Sequence, residues 1–429
     1  MIREATNKLL AGENLSTHEI EAVLQDISSG NAFPTQLAAL QTAISMKGPT
    51  EQEASLEGAM TSGVSRATRH SRPGPNTALT DLHVFTLMAT EGSDLSRREA
   101  KNAMEEILSG RATDLEIAQF LTALRFKGET VDEVVGLATA MRRHAPRIFA
   151  DGHPIADEVL IDTCGTGGDA RGTFNISTAT AFVVAGAGLR VAKHGNRSST
   201  SLCGSADVLE RLGMCIDLAP EMVARAIEEV GIGFLFAPAI HAAARHVAKV
   251  RRELGFRTVF NLLGPLTNPA NASAQVVGVY DASVTDLMAR ALGELGVKRA
   301  FVVHGADGLD EISISGETFV SELRDGTARN YTITPQDFGV KRAPLEAIRG
   351  GDPKRNAEII WKILGTSASR PEHGPHRDIV LVNASAALVA AGRARTFPEG
   401  TQLASESIDS DAAWKKLERL ISFSNKPQV

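Results

Sequence analysis

The sequence is short of cysteine, of aromatic residues and of long apolar runs, and each shortage removes a class of protein. Only three cysteines occur among 429 residues, Cys164, Cys203 and Cys215. An odd number without C-x-x-C spacing supports neither a disulfide framework nor structural zinc, and it points to a reducing compartment. No apolar run reaches the ~20 residues of a membrane span, and the opening MIREATNKLLAGENLS has no signal-peptide pattern, so a cytoplasmic protein is expected. Positive charge is not in excess: 45 Lys+Arg against 51 Asp+Glu leave a net charge of −6, which argues against general affinity for nucleic acid or anionic membranes. Aromatics are thin at 5%, whereas 43% hydrophobic and 22% charged residues are ordinary globular values. The length suits two or three domains of ~150 residues.

An internal repeat opens the chain. Residues 15–48, LSTHEIEAVLQDISSGNAFPTQLAALQTAISMKG, align without a gap on 95–128, LSRREAKNAMEEILSGRATDLEIAQFLTALRFKG, with about a third of positions identical. Each copy starts with the spacing of a capping box, Ser16 with Glu19 and Ser96 with Glu99. Gly30 and Gly110 then end a first helix, and a second periodic stretch follows. The expectation is an extra helical hairpin over 1–60, a flexible linker over the Ser-, Arg-, Gly- and Pro-rich 61–80, and a second helical domain over 81–150.

From about residue 155 the pattern changes to short apolar runs alternating with helical segments: EVLIDTCG, LRVAKHG, IGFLFAP, AQVVGVYD and RAFVVHG. This predicts an α/β domain over 151–429 with a mostly parallel sheet, some of its helices returning to the helical domain. Residues 312–339 alternate β-branched and polar side chains and predict a small antiparallel excursion.

Four segments carry chemistry. In VLIDTCGTGGDARGTFNISTATAF (159–182) a buried strand runs into Gly165-Thr166-Gly167-Gly168-Asp169, and a helix starts near Asn175. Glycine turns and the free N–H groups of a helix start suit a phosphate, although a purely structural turn gives the same pattern. The segment is neither a Walker A loop nor a G-x-G-x-x-G site. In VAKHGNRSSTSLCGSADVLERLG (191–213), Lys193, His194, Asn196 and Arg197 surround Gly195 before a hydroxyl run, a set suited to phosphorylated ligands or to a solvated loop. In VHGADGLDEIS (303–313), Asp307, Asp310 and Glu311 follow a strand and supply either the protein share of a Mg²⁺ site or an exposed acidic turn. In HAAARHVAKVRRELGFRTVFNLLGPLTNPA (241–270), a basic helix carries Arg251, as a solvated face or as an anion contact.

Together with YTITPQDFG and GPHRDIVLVNASAAL, the segments DTCGTGGD, NIST, KHGNR with GSADVLERLG, VRRELGFRTVFNLLGPLTNP and HGADGLDEIS closely resemble anthranilate phosphoribosyltransferases, in family order over residues 83–425. The resemblance implies a small helical domain plus a larger α/β domain and, as a rule, a homodimer formed through the helical domain. It implies a Mg²⁺-dependent transfer of the phosphoribosyl group from phosphoribosyl pyrophosphate to the amine of anthranilate in tryptophan biosynthesis, giving N-(5-phosphoribosyl)anthranilate and pyrophosphate. Carried over residue by residue, it assigns Gly165, Gly168, Asp169, Thr173, Asn175, Ile176, Ser177 and Thr178 to the donor. It adds Lys193, His194, Gly195, Asn196, Arg197, Ser198, Ser199, Thr200, Ser201 and Ser205 to the same set. Ser177, Asp310 and Glu311 are implied as magnesium ligands, directly or through water; Gly165, His194, Asn196, His241 and Arg251 as the anthranilate set. No nucleophilic side chain and no covalent intermediate are implied.

Three features depart from that pattern. Leu202 stands where a Lys or Arg is usual, Ala242 replaces a Pro after His241, and the hairpin at 1–60 is additional. Since its apolar faces need a partner, the extra copy is expected to pack on the helical domain and alter dimerisation, or else to hang as a tethered appendage. Other readings stay open at this point: a phosphoribosyltransferase of the same fold with another acceptor, a pyrimidine nucleoside phosphorylase, or a non-enzymatic nucleic-acid-binding paralogue.

Overall fold

The computed structural model describes residues 1–68, 81–150, 152–198, 201–366 and 373–426. The chain divides into a helical unit, residues 1–144 with 241–263, and an α/β unit, residues 145–240 with 264–429.

The helical unit begins with α1 (Ile2–Leu10), α2 (Thr17–Ser28), α3 (Pro34–Lys47) and α4 (Ser55–Thr68), and then repeats the plan with α5 (Asp81–Thr90), α6 (Arg97–Leu108), α7 (Asp114–Lys127) and α8 (Val131–His144). Both expected capping boxes are formed at α2 and α6, and Thr113 with Glu116 adds a third at α7. Two features of the sequence reading are corrected. The first copy is four helices, not one hairpin, and the stretch 61–68 continues α4 instead of opening a linker. Polar residues without apolar periodicity hid it, since α4 buries little beyond Leu56 and Met60 among its described side chains. Residues 69–80 of the expected linker lie outside the described residues.

The repeat is exact enough to duplicate a buried ion pair. The fully buried Glu53 accepts from Leu15 N, Thr50 N and Lys47 Nζ, each at 2.8 Å. Eighty residues on, Glu133 accepts from Leu95 N at 2.9 Å, Thr130 N at 2.8 Å and Lys127 Nζ at 3.0 Å. Side-chain size, by contrast, is exchanged. Ile20, Val23, Leu56 and Met60 fill the first core, where Ala100, Ala103, Gly136 and Ala140 stand in the second. At Gly136 a Cβ would lie 2.4 Å from the Arg97 carbonyl oxygen, so α6 and α8 pack backbone to backbone, while α2 and α4 are held apart by larger side chains.

The α/β unit runs through β1 (Leu160–Gly165), α9 (Ile176–Gly186), β2 (Arg190–Gly195), α10 (Ser205–Arg211), α11 (Pro220–Glu229), β3 (Ile232–Phe236) and α12 (Ala237–Ile240). The chain then re-enters the helical unit with α13 (Arg245–Leu254) and leaves it along α14 (Phe260–Leu266). It continues through β4 (Ala274–Gly278), α15 (Thr285–Glu294), β5 (Arg299–Gly305), β6 (Thr318–Arg324), β7 (Thr327–Ile333), α16 (Pro353–Leu364), α17 (Pro375–Ala390), α18 (Phe397–Asp409) and α19 (Ala412–Ser424). The sheet order is β3-β2-β1-β4-β5-β6-β7; β3 to β5 are parallel, and β6 and β7 form the expected antiparallel hairpin. The central strands are buried along nearly their whole length, as their continuous apolar runs require.

Candidate functional site

β1 ends at Gly165 and β4 at Gly278, which pair in register where the strand order reverses between outward β2-β3 and outward β5. Open α/β sheets bind ligands beyond the carboxyl ends of their strands at such a point. The loops after β1, β2 and β5 converge there.

After β1 the backbone turns repeatedly left-handed: φ is +67° at Gly167, +82° at Gly168 and +68° at Gly172. Ala170 adopts +56° despite its Cβ, a strained conformation of the kind concentrated in ligand-handling loops. Successive turns of this hand present N–H groups to an anion, and the N-terminus of α9 follows. The loop is tied to the acidic segment after β5. Arg171 lies against Gly308, Ser177 N donates to Glu311 Oε1 at 3.1 Å, and a Cβ on Gly165 would sit 3.1 Å from Asp310 Oδ2. A Cβ on Gly278 would overlap the Asp310 carbonyl.

Of the donor residues named from sequence, Thr173 pairs with Arg349 through a single backbone bridge, Ile176 is buried with its N–H donated to Phe174 O at 2.8 Å, and Thr178 is fully buried in the first turn of α9. Asn175 donates to the Cys203 carbonyl at 3.1 Å and accepts from Asn356 at 3.0 Å, which fixes the loop preceding α10. Lys193 is buried, with Nζ 2.6 Å from Thr163 O and 3.3 Å from Ser177 Oγ. Gly195 ends β2 where a Cβ would meet Phe234 at 2.7 Å. Asn196 Oδ1 accepts from Arg197 N at 2.7 Å, and its carbonyl accepts from Ala206 N at the start of α10, beside Ser205. Arg197 is committed internally, its guanidinium ion-paired to Asp207 at 3.0 Å and Glu210 at 2.6 Å. Ser198 Oγ contacts Ser201 Oγ at 2.9 Å; Ser199 and Thr200 lie outside the described residues. Leu202 is 76% exposed.

Sequence reasoning missed the supports. Asp162, fully buried in β1, accepts from His194 N at 3.1 Å and from Asn268 at 2.9 Å, while His194 Nδ1 contacts Gly264 O at 3.1 Å. Asn383 of α17 holds Ile312 N at 3.0 Å, whereas Asp307, named from sequence with Asp310 and Glu311, accepts from Leu309 N and Ser313 Oγ and shapes the turn. The polar residues inside apolar LIDTCG and LVNASAAL were the available signal.

Carboxylates crowd one another at this end of the sheet. Burial, then the Asp169 charge and a hydrogen bond to it, push Asp310 up to about 7. Burial and the Asp310 charge raise Glu311, which Lys193 opposes. Lys193 is itself lowered by burial, against the pull of Asp162. Among the described residues no three His, Cys, Asp or Glu side chains form a ready-made metal cage. Mg²⁺ characteristically takes only one or two protein carboxylates, with water and phosphate completing its shell, so a crowded carboxylate set beside an anion-binding loop fits it.

The two remaining acceptor candidates belong to the helical unit. His241 precedes a short 3₁₀ turn over Ala242–Ala244. On α13, Lys249 is spent on Asp114 at 2.6 Å; Arg251 is exposed, stacks on Phe260 at 5.4 Å and has no ion pair among the described residues.

Residues 157–414 match the model of the glycosyl transferase family a/b domain, and the model of that family's helical bundle domain matches twice, over 3–56 and 88–145. The chain is 57% identical over 336 residues to the anthranilate phosphoribosyltransferase of Symbiobacterium thermophilum, covering 78% of this chain and 96% of the relative. The anthranilate phosphoribosyltransferase of Thermus thermophilus superposes with a TM-score of 0.74 at 44% identity, over 80% of this chain and 99% of that one. The Saccharomyces cerevisiae enzyme, solved in complex with PRPP and Mg, gives 0.70 at 30% identity over 80% and 97%.

Proposed function

Because this chain belongs to the anthranilate phosphoribosyltransferase family, we propose that it transfers the phosphoribosyl group of phosphoribosyl pyrophosphate to the anthranilate amine in the cytoplasm, yielding N-(5-phosphoribosyl)anthranilate and pyrophosphate. The observation that carries this reading is the joining of the left-handed loop after β1 to Asp310 and Glu311 at the N-terminus of α9. Loss of pyrophosphate from ribose C1 builds positive charge on the sugar and negative charge on the leaving group. Backbone N–H groups at Gly168–Asp169 and the positive end of the α9 backbone dipole, with the hydroxyls of Thr173, Ser177 and Ser205, would stabilise the latter. Asp310, Glu311 and Ser177 would hold Mg²⁺, which when bound neutralises pyrophosphate oxygens. Lys193 keeps Ser177 oriented through its 3.3 Å contact.

The amine attacks from the face opposite the leaving group, without a covalent enzyme intermediate, and alignment of two substrates supplies up to ~7–11 kcal/mol of barrier reduction. Gly165, His194, Asn196 and His241 are assigned to the acceptor, and Arg251, which makes no ion pair among the described residues, to its carboxylate. Homodimer formation belongs to the same proposal; Val84 and Leu87, one turn apart on α5 and 52% and 48% exposed, are apolar side chains suited to it. The experiment is steady-state loss of anthranilate fluorescence with donor and Mg²⁺ present and each omitted in turn. Signal loss only with every component present supports the reading; no turnover by folded protein, or turnover only with another aromatic amine, refutes it.

A further inference from the structure

We propose that the additional N-terminal bundle braces the helix that carries Arg251, and that Arg3, aided by Thr35 and Gln36, is a positioning residue for the acceptor. α13 ends at Gly255, in the left-handed conformation at φ +69°, leaving its last carbonyls without intrahelical partners. Arg3 meets them: Nε donates to Glu253 O at 3.1 Å and Nη2 to Arg252 O at 2.8 Å. Its side chain lies flat on Gly255, where a Cβ would come within 2.7 Å of Arg3 Cδ. From the start of α3, Gln36 Nε2 donates to Glu253 O at 2.8 Å and Thr35 Oγ1 to Glu253 Oε2 at 2.6 Å. A cation at a helix C-terminus and a carboxylate at a helix N-terminus both follow the sign of the backbone dipoles.

The other half of α13 is held by the second bundle. Lys249 pairs with Asp114 at 2.6 Å, and the His246 ring lies 3.1 Å from where a Gly110 Cβ would be. α13 is thus gripped from both copies, with Arg251 in the last turn on the side of the first. The latch is not inherited from the repeat, because the positions equivalent to Arg3, Thr35 and Gln36 are His83, Leu115 and Glu116. Without it the carbonyls of Arg252 and Glu253 lose these donors, leaving the Gly255 N to Arg251 O bond at 3.1 Å as the cap of a last turn of the kind that frays. Arg251 would then sample several positions instead of one.

This inference rests on the assignment of Arg251 to the anthranilate carboxylate, so the test has one readout that does not. In the full-length chain, Arg3→Met keeps the aliphatic stem and removes the donors. It is expected to raise the anthranilate KM about three- to tenfold, the loss of one or two hydrogen bonds, with kcat and the donor KM within twofold of wild type. Arg3→Lys, which restores charge and one donor, should recover part of the change. Gln36→Met should repeat it more weakly. Lys8→Met breaks the Lys8–Glu19 pair in the same bundle without touching α13, and should leave both KM values unchanged.

Hydrogen exchange at the amides of 251–255 reads the brace directly, and should accelerate in Arg3→Met but not in Lys8→Met. Unchanged exchange, equal KM increases for both substrates, or the same effect from Lys8→Met would overturn the proposal. Accelerated exchange with an unchanged anthranilate KM would keep the brace and refute its link to the acceptor. Wild-type protein that leaves anthranilate untouched would refute the functional reading instead, and exchange would still decide whether the brace exists.

Discussion

Replacing Glu53 by Gln tests whether the first bundle is held by its buried ion pair. The carboxylate is fully buried and accepts from Leu15 N, Thr50 N and Lys47 Nζ; Lys47 is only 7% exposed. Burial alone would raise its pKa, yet these donors hold it at about 2 against an ordinary 4.5. A carboxyl held at about 2 instead of 4.5 corresponds to ~3 kcal/mol. Because the folded pKa is the lower one, that stability is fully present above pH 4.5 and is lost as the pH falls towards 2. A second route gives a similar size: removing one partner of a buried pair costs ~3–5 kcal/mol, since Lys47 is left without its carboxylate. Urea unfolding at pH 7, with amide exchange in α2 to α4 to locate the change, should therefore show a loss of ~3 kcal/mol. The wild-type advantage should fall by roughly half at pH 3. A loss under ~1 kcal/mol at pH 7, or an advantage that does not shrink on acidification, would refute the reasoning.

Three further outcomes are expected. Asp310→Asn with Glu311→Gln should nearly abolish turnover while circular dichroism and melting stay close to wild type; an unaffected rate at saturating Mg²⁺ would remove both from the metal site. Leu202→Arg should lower the donor KM about two- to fivefold, the worth of an exposed charge pair at ~0.4–1 kcal/mol, and kinetics at two salt concentrations should show the gain fading with ionic strength. Sedimentation of the full chain should give about twice 45.5 kDa, falling to that single mass in Val84→Glu with Leu87→Glu; a wild-type monomer would exclude this dimer.

The parts of the molecule visible in its sequence are those where the residue pattern and the local structure are the same object. Apolar runs such as AQVVG became buried parallel strands, and Ser16 with Glu19 became a capping box, because each needs only near neighbours. The strand order is not of this kind. Nothing local to β1 says that it lies between β2 and β4, yet that placement is what brings Asp310 beside Gly165. Arg197 illustrates the same limit: a basic residue in KHGNR suits a phosphate, and only the fold shows Asp207 and Glu210 within reach of its guanidinium. The repeat was legible over 15–48 and obscure beyond it, since α1 and α4 match α5 and α8 in position but not in side-chain volume. Arg3 gave no signal at all; its partners are carbonyls some 250 residues away.

That mismatch of volume bears on how a chain containing the same bundle twice reaches one structure. Two tandem copies with equivalent contacts invite exchange, with a helix of one copy docking in the other during folding. Here the exchange is penalised in both directions. α4 in the seat of α8 would drive Leu56 and Met60 into space cut for Gly136 and Ala140, where even a Cβ meets the Arg97 carbonyl. α8 in the seat of α4 would leave the volume of a leucine and most of a methionine empty beside Ile20 and Val23. Each copy keeps its own buried Glu–Lys pair, so that pair does not tell α4 from α8. Discrimination between α4 and α8 thus rests on the sizes of a few core residues, which lets the buried Glu–Lys pair be shared without confusing the fold.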